Sequence, residues 1–207
     1  MVSRPGRRYP PPVQQDLLPG FSPDAGFPDG LVHRPGFLPP AEEAGVRERL
    51  AALDFGEFTM RGFVAKRRVA YFGHGYAFDA RELSPGPPFP RFLLALRARL
   101  APLAGVAPET LGMASVIRYP PGAGIGWHRD APQFGIVVGL SLGGPARFQL
   151  RRGGPGGEKR ELLLVPGDVY VLARAARWAW QHHVPPVRAE RYAVTFRTLR
   201  SDGPRPA

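Results

Sequence analysis

The chain has 207 residues, 28 Lys+Arg against 17 Asp+Glu for a net charge of +11, no Cys, and 26 each of Gly and Pro. That length suits one domain with a sizeable core, the turn-forming residues favour β structure over a helix bundle, and the lack of Cys excludes disulfides and thiolate metal sites. No apolar run is long enough to span a bilayer, and "MVSRPGRRYPPPVQQ" has no apolar signal core, so the cytoplasm is the expected compartment and a monomer the expected form. The positive charge favours a polyanionic partner, nucleic acid above all. Lys66 and Lys159 are the only lysines, so a chain-wide preference for Arg accounts for part of that excess.

In chain order, residues 1–30 read as a flexible Pro/Gly-rich arm, whose Arg4, Arg7 and Arg8 can reach phosphates or stay solvated. In "LVHRPGFLPPAEEAGVRERLAALDF", Pro39 and Pro40 ahead of Glu42 and Glu43 predict a helix start. Val46, Leu50 and Leu53 follow at helical spacing. "FTMRGFVAKRRVAYFGHGYAFD" reads as strand and loop, with aromatic residues between basic ones. "FPRFLLALRARLAPLAG" predicts a second helix that stops at Gly105. From about residue 112 the expected strands are "MASVIRY", "IGWH", "GIVVGLSLG", "ARFQLRR", "ELLLV", "DVYVLA", "WAWQHHV" and "RYAVTFRTL", with "RRGGPGGEKRE" as a glycine-rich hairpin loop. No internal repeat is visible. The expected class is α+β, mainly β, a sandwich or jelly roll with flanking N-terminal helices.

Chemistry concentrates in two stretches. In "GAGIGWHRDAP", His128 and Asp130 stand two apart, which in a strand puts both side chains on one face. One further His would complete a 2-His-1-carboxylate triad with open positions for co-substrate and O2. In "WQHHVPPVRAERYAVTFRTLR", the adjacent His182 and His183 face opposite ways in a strand, and the period does not choose between them. Read as a strand, "RYAVTFR" puts Arg191, Ala193, Thr195 and Arg197 on one face and Tyr192, Val194 and Phe196 on the core side. The two Arg Cα atoms would be roughly 20 Å apart, a span suited to a dicarboxylate gripped at each end by bidentate pairing.

The order H-x-D, His, then R-x-x-x-x-x-R on a last strand resembles the AlkB family of Fe(II)- and 2-oxoglutarate-dependent dioxygenases. The match covers most of residues 60–200, through "RYPPGAGIGWHRD", "IVVGLSLGGPARFQL", "LLLVPGDVYVL", "WQHHV" and "RYAVTFRTL". The resemblance implies a double-stranded β-helix over 112–200 and a helix and nucleotide-recognition lid region over 31–111. It also implies Fe(II) on His128, Asp130 and His182, with His183 at a variable position. 2-Oxoglutarate would be held by Tyr119, Arg191 at its distal carboxylate, and Arg197 near the metal, with O2 as the second co-substrate.

The implied substrate is alkylated nucleic acid, DNA or RNA, carrying bases such as 1-methyladenine or 3-methylcytosine. Such a base would be flipped into a pocket and released of its methyl group as formaldehyde, a direct-reversal repair. In "RGFVAKRRVAYFGHGY", Phe63, Tyr71 and Tyr76 would stack or shape that pocket, while Lys66, Arg67 and Arg68 would bind phosphates. His74 reads as a loop His, and Trp127 and Trp180 as core neighbours of the metal ligands. The chain departs from the family at Ile117 and Ala193, where many members carry Asn, each loss removing a polar contact near the co-substrate. "DAPQFG" offers no match to the family's acidic substrate contact, and a substrate Arg aligns near Glu161, with Arg160 beside it. These departures keep open a dioxygenase of the same fold that hydroxylates or demethylates a protein or small molecule.

Overall fold

Alternation along the last strand organises the molecule: Tyr192, Val194 and Phe196 enter one hydrophobic core and Ala193 another, on the opposite face. The computed structural model describes residues 26–60, 62–77 and 82–200, with Met60, Phe63, Tyr76, Ala77, Glu82 and Leu83 described through their backbone only. The elements run β1 (Leu31–Arg34), α1 (Pro40–Ala51), β2 (Gly56–Met60), β3 (Phe63–Phe72), β4 (His74–Ala77), β5 (Glu82–Pro85) and α2 (Arg91–Leu100). Then follow β6 (Met113–Tyr119), β7 (Ile125–His128), β8 (Phe134–Gly143), β9 (Ala146–Arg152), β10 (Glu158–Leu164), β11 (Val169–Leu172), α3 (Arg174–Trp178), β12 (Gln181–Val184) and β13 (Arg191–Leu199).

A 7-stranded sheet, β1-β11-β8-β13-β6-β3-β2, faces a 4-stranded sheet, β10-β9-β12-β7, and β4 and β5 form a separate hairpin. Antiparallel pairing throughout and the two facing sheets make this a double-stranded β-helix, or jelly roll. Leu50 of α1 and Leu93, Leu96 and Leu100 of α2 cover the outer face of the large sheet. Between the sheets, Tyr119, Val137 and Ala193 meet Phe148, Leu150, Leu162 and Val184. No helix among the described residues is long and apolar enough to cross a membrane.

Local chemistry accounts for the flanking helices. Pro40 opens α1 with Glu42 and Glu43 in its first turn. α2 runs through a short 3-10 turn to Gly105, whose left-handed φ of 64° closes it. The buried Glu43 carboxylate accepts the Gly143 N–H at 2.8 Å, tying α1 to the end of β8.

Four readings of the sequence need correction. Of the expected arm, residues 1–25, including Arg4, Arg7 and Arg8, lie outside the described residues, and Phe27 packs on the inter-sheet core just ahead of β1, which pairs with β11. β10 begins at Glu158, inside the expected hairpin loop, because Glu158 pairs with Arg152. "WAWQHHV" is not one strand: α3 ends at Trp178, and β12 starts at Gln181. β7 ends at His128, so Asp130 lies beyond the strand.

One close approach depends on a missing side chain. Tyr170 of β11 lies opposite Gly139 of β8, and a Cβ at Gly139 would stand 2.2 Å from Tyr170 Cζ. Gly139→Ala must push the Tyr170 ring into the packed interior. We expect a loss of about 2 kcal/mol, seen in thermal unfolding as a Tm lower by roughly 5 °C.

Candidate metal and co-substrate site

Register brings the two histidines together. His182 lies opposite His128 where β12 pairs with β7, and their ring centroids are 4.1 Å apart. The parity of β12 resolves which of the adjacent histidines faces in: His182 packs beside Phe148 of the inter-sheet core. His183 points outward, stacked on Trp127 at 4.9 Å with its Nδ1 donating to the Ile125 carbonyl at 2.6 Å. Trp127 therefore belongs to the outer face, where Arg151 also covers it, while Trp180 fills the core.

The donor set fits a divalent transition metal. His128 Nδ1 donates to the Gly126 carbonyl at 2.8 Å, which leaves Nε2 with its lone pair. Burial pushes His182 down to about 3, reinforced by His128 and opposed by Asp130; burial also lowers His128. Both rings are thus neutral donors at neutral pH. Burial alone would raise the Asp130 carboxyl, but Arg197 with His182, His128 and Arg177 holds it well below the usual carboxylate range. Asp130 Oδ1 accepts from Arg197 Nε at 2.7 Å. Its Oδ2 is buried without a hydrogen-bond partner, 3.7 Å from His182 Nε2. Among the described residues no three such groups close around one point. Two neutral imidazoles, an ionised carboxylate and an orphaned carboxylate oxygen are a 2-His-1-carboxylate donor set.

The last strand supplies the cations. Arg197 Nη1 also donates to Ser115 Oγ at 2.8 Å and Thr195 Oγ1 at 3.1 Å. Arg191 is 2 % exposed; its Nε reaches Ser141 Oγ at 3.3 Å, while Nη1 is buried with no partner. Its guanidinium lies 5.1 Å from the Tyr119 ring centre, and Tyr119 is opposite Arg191 in the sheet. Between the two arginines on this face lie an apolar pair, Ala193 opposite Ile117, and a polar pair, Thr195 opposite Ser115.

The expected substrate residues separate. Arg68 pairs with Glu57 at 2.7 Å on the exterior, and Lys66 is exposed. Arg67 is corrected from an outward phosphate contact: strand alternation turns it inward, 8 % exposed, with its guanidinium 4.0 Å from the Phe58 ring centre. Tyr71 also faces the interior, opposite Ser115, its hydroxyl pushed up by burial against the pull of Arg197 and Arg67. Phe63 and Tyr76 sit on β3 and β4, but their side chains lie outside the described set. His74 Nδ1 donates to the Gly112 carbonyl at 3.0 Å and so ties β4 to the body of the fold. Arg160 is engaged by Glu158 at 2.6 Å and by the Gly26 carbonyl. Glu161 is held by Arg147 and Gln149 at 2.7 Å each.

Sequence reasoning missed Arg177. It is 2 % exposed and donates to the carbonyls of Gly135, Ala131 and Phe134 at 2.8 Å and of Asp130 at 3.2 Å. Burial lowers its pKa to about 10, with Asp130 opposing, so it stays charged at neutral pH. Nothing in the sequence pattern singled it out, because its partners are backbone carbonyls. Arg177→Met leaves these carbonyls unpaired at about 1 kcal/mol each. We expect a fall of roughly 3–4 kcal/mol in urea unfolding, together with weaker Mn(II) binding.

The sequence profile of the 2OG-Fe(II) oxygenase superfamily matches residues 30–200. The chain is 32 % identical over 164 residues to the alpha-ketoglutarate-dependent dioxygenase AlkB of Escherichia coli, covering 69 % of this chain and 73 % of that one. It is 28 % identical over 181 residues to the alkylated DNA repair protein ALKBH8 homolog of Arabidopsis thaliana, covering 75 % of this chain and 51 %, about half, of that protein. The solved structure of OsALKBH1 superposes with a TM-score of 0.63 at 18 % identity, covering 83 % of this chain and 99 % of that one.

Proposed function

Since the chain belongs to the 2OG-Fe(II) oxygenase superfamily, as an AlkB-like dioxygenase that uses Fe(II), 2-oxoglutarate and O2, we propose that it demethylates N-alkylated bases of nucleic acid, such as 1-methyladenine and 3-methylcytosine, by direct reversal with release of formaldehyde. The observation that carries this reading is β3. It turns Tyr71 toward the interior of the fold, opposite Ser115, while Lys66 stays at the surface, an arrangement that would suit an aromatic wall for a flipped base and a cation for its backbone.

His128, Asp130 and His182 would hold the iron; Tyr119, Arg191 and Arg197 would hold 2-oxoglutarate. Together with O2, these groups supply oxidation of a C–H bond, which at an N-methyl group leads to loss of formaldehyde. The chain's own residues keep that centre in place. Arg197 fixes one Asp130 oxygen and leaves the other unpaired. The Gly126 carbonyl orients the His128 ring. Arg191 offers a buried, unpaired donor for a carboxylate.

A specific observation also favours a second reading, a protein or small molecule as substrate. Glu161 and Arg160, where the resemblance puts base recognition, are both engaged by neighbours. The test is formaldehyde release from a 3-methylcytosine oligonucleotide with Fe(II) and 2-oxoglutarate, in wild type, His182→Ala and His183→Ala. We expect release by wild type and His183→Ala, and a fall of more than about 1,000-fold in His182→Ala, set by loss of metal chemistry. Succinate without formaldehyde in wild type would favour the second reading.

A further inference from the structure

The inner face of the large sheet carries a third arginine that the metal and co-substrate set above does not use. Arg191 lies opposite Tyr119 across β13 and β6. On the other side of β6, Val69 lies opposite Ile117. Arg67 precedes Val69 by two residues and Tyr119 follows Ile117 by two, so in the antiparallel ladder Arg67 falls beside Tyr119 on the same face. The row across three strands is therefore Arg191, Tyr119, Arg67. Tyr119, fully in the interior, feels both guanidiniums, which oppose the upward push of burial on its hydroxyl.

Arg67 is poised for an anion. It is 8 % exposed, and its guanidinium lies over the Phe58 ring at 4.0 Å, a contact that uses none of its N–H donors. Burial lowers its pKa, with Tyr119 and Tyr71 opposing. Asp130, the buried carboxylate of this region, is already committed to Arg197. Among the described residues no carboxylate pairs with Arg67, and a largely buried guanidinium binds an anion more strongly than one in water does.

We infer that Arg67 grips the distal carboxylate of 2-oxoglutarate together with Arg191, from the opposite side of Tyr119. The apolar row of Ala193, Ile117 and Val69 lies next to this clamp. Arg suits the position because its flat fork pairs with a carboxylate while its face remains on Phe58.

This inference rests on the dioxygenase assignment and is independent of the nucleic-acid reading, so its test contains no nucleic acid. Calorimetric binding to the Mn(II)-loaded protein compares 2-oxoglutarate with 2-oxopentanoate, which keeps the keto acid but lacks the distal carboxylate. Arg67→Met should weaken 2-oxoglutarate by at least about tenfold, the loss of one charge-assisted pairing, and leave 2-oxopentanoate and Mn(II) affinity within about twofold. Arg67→Lys, which keeps the charge and the strand position, should lose 2-oxoglutarate affinity by a smaller factor, again with 2-oxopentanoate unchanged. Unchanged 2-oxoglutarate binding in Arg67→Met, or equal weakening of both ligands in both variants, would overturn the assignment. If Arg67→Met does not fold, the Arg67→Lys comparison decides alone by the same criterion.

Discussion

Arg197 of the large sheet and Asp130, just past β7 of the small sheet, meet through a 2.7 Å ion pair with both side chains largely out of water. This contact joins the two halves of the site. The histidines belong to the small sheet, whereas Arg191 and Arg197 stand on the large sheet. Buried charges of this kind lose hydration on folding, and their attraction offsets the loss only when the geometry is good and the remaining donors are satisfied. Here Ser115 and Thr195 take the other guanidinium edge, and Arg177 secures the loop that carries Asp130. The oxygen left over is directed at the histidines. The ion pair is thus a positional constraint first: it sets which carboxylate oxygen is available.

Much of this was legible from period alone. The two-residue repeat of "RYAVTFRTL" separated core side chains from site side chains, and the structure divides them in that way between its two cores. The seven positions from Arg191 to Arg197 needed no tertiary information, because β13 is central in its sheet and the alternation alone sorts its side chains. The choice between His182 and His183 was not legible from spacing. Adjacent residues in a strand are equivalent until the face is known, and only pairing with β7 on one side and β9 on the other defines it.

The misreadings share a cause: side chains that answer to a distant partner rather than to local pattern. Asp130 was placed in a strand with His128, but Arg197, 67 residues away in sequence, sets its direction. Arg67 sat in a run of basic residues that resembled a solvated phosphate-binding edge. Composition cannot tell that β3 is paired on both sides, with β2 and β6, so every second residue must go inside. Arg177 was hidden for a related reason. Its partners are backbone carbonyls over residues 130–135, and carbonyls leave no trace in side-chain identity.

The outer face of the small sheet bears on the metal chemistry although it never touches it. A one-residue slip of β12 would carry His182 outward and bring Gln181 or His183 into the interior. The outward side chains oppose such a slip: Gln181 accepts from Arg151 at 2.8 Å, and His183 bonds the Ile125 carbonyl and stacks on Trp127. Each of these contacts exists in one alignment only. The solvent side of the sheet therefore acts as a ratchet pawl for the buried side, and the identity of the inward histidine is decided partly by residues that face water.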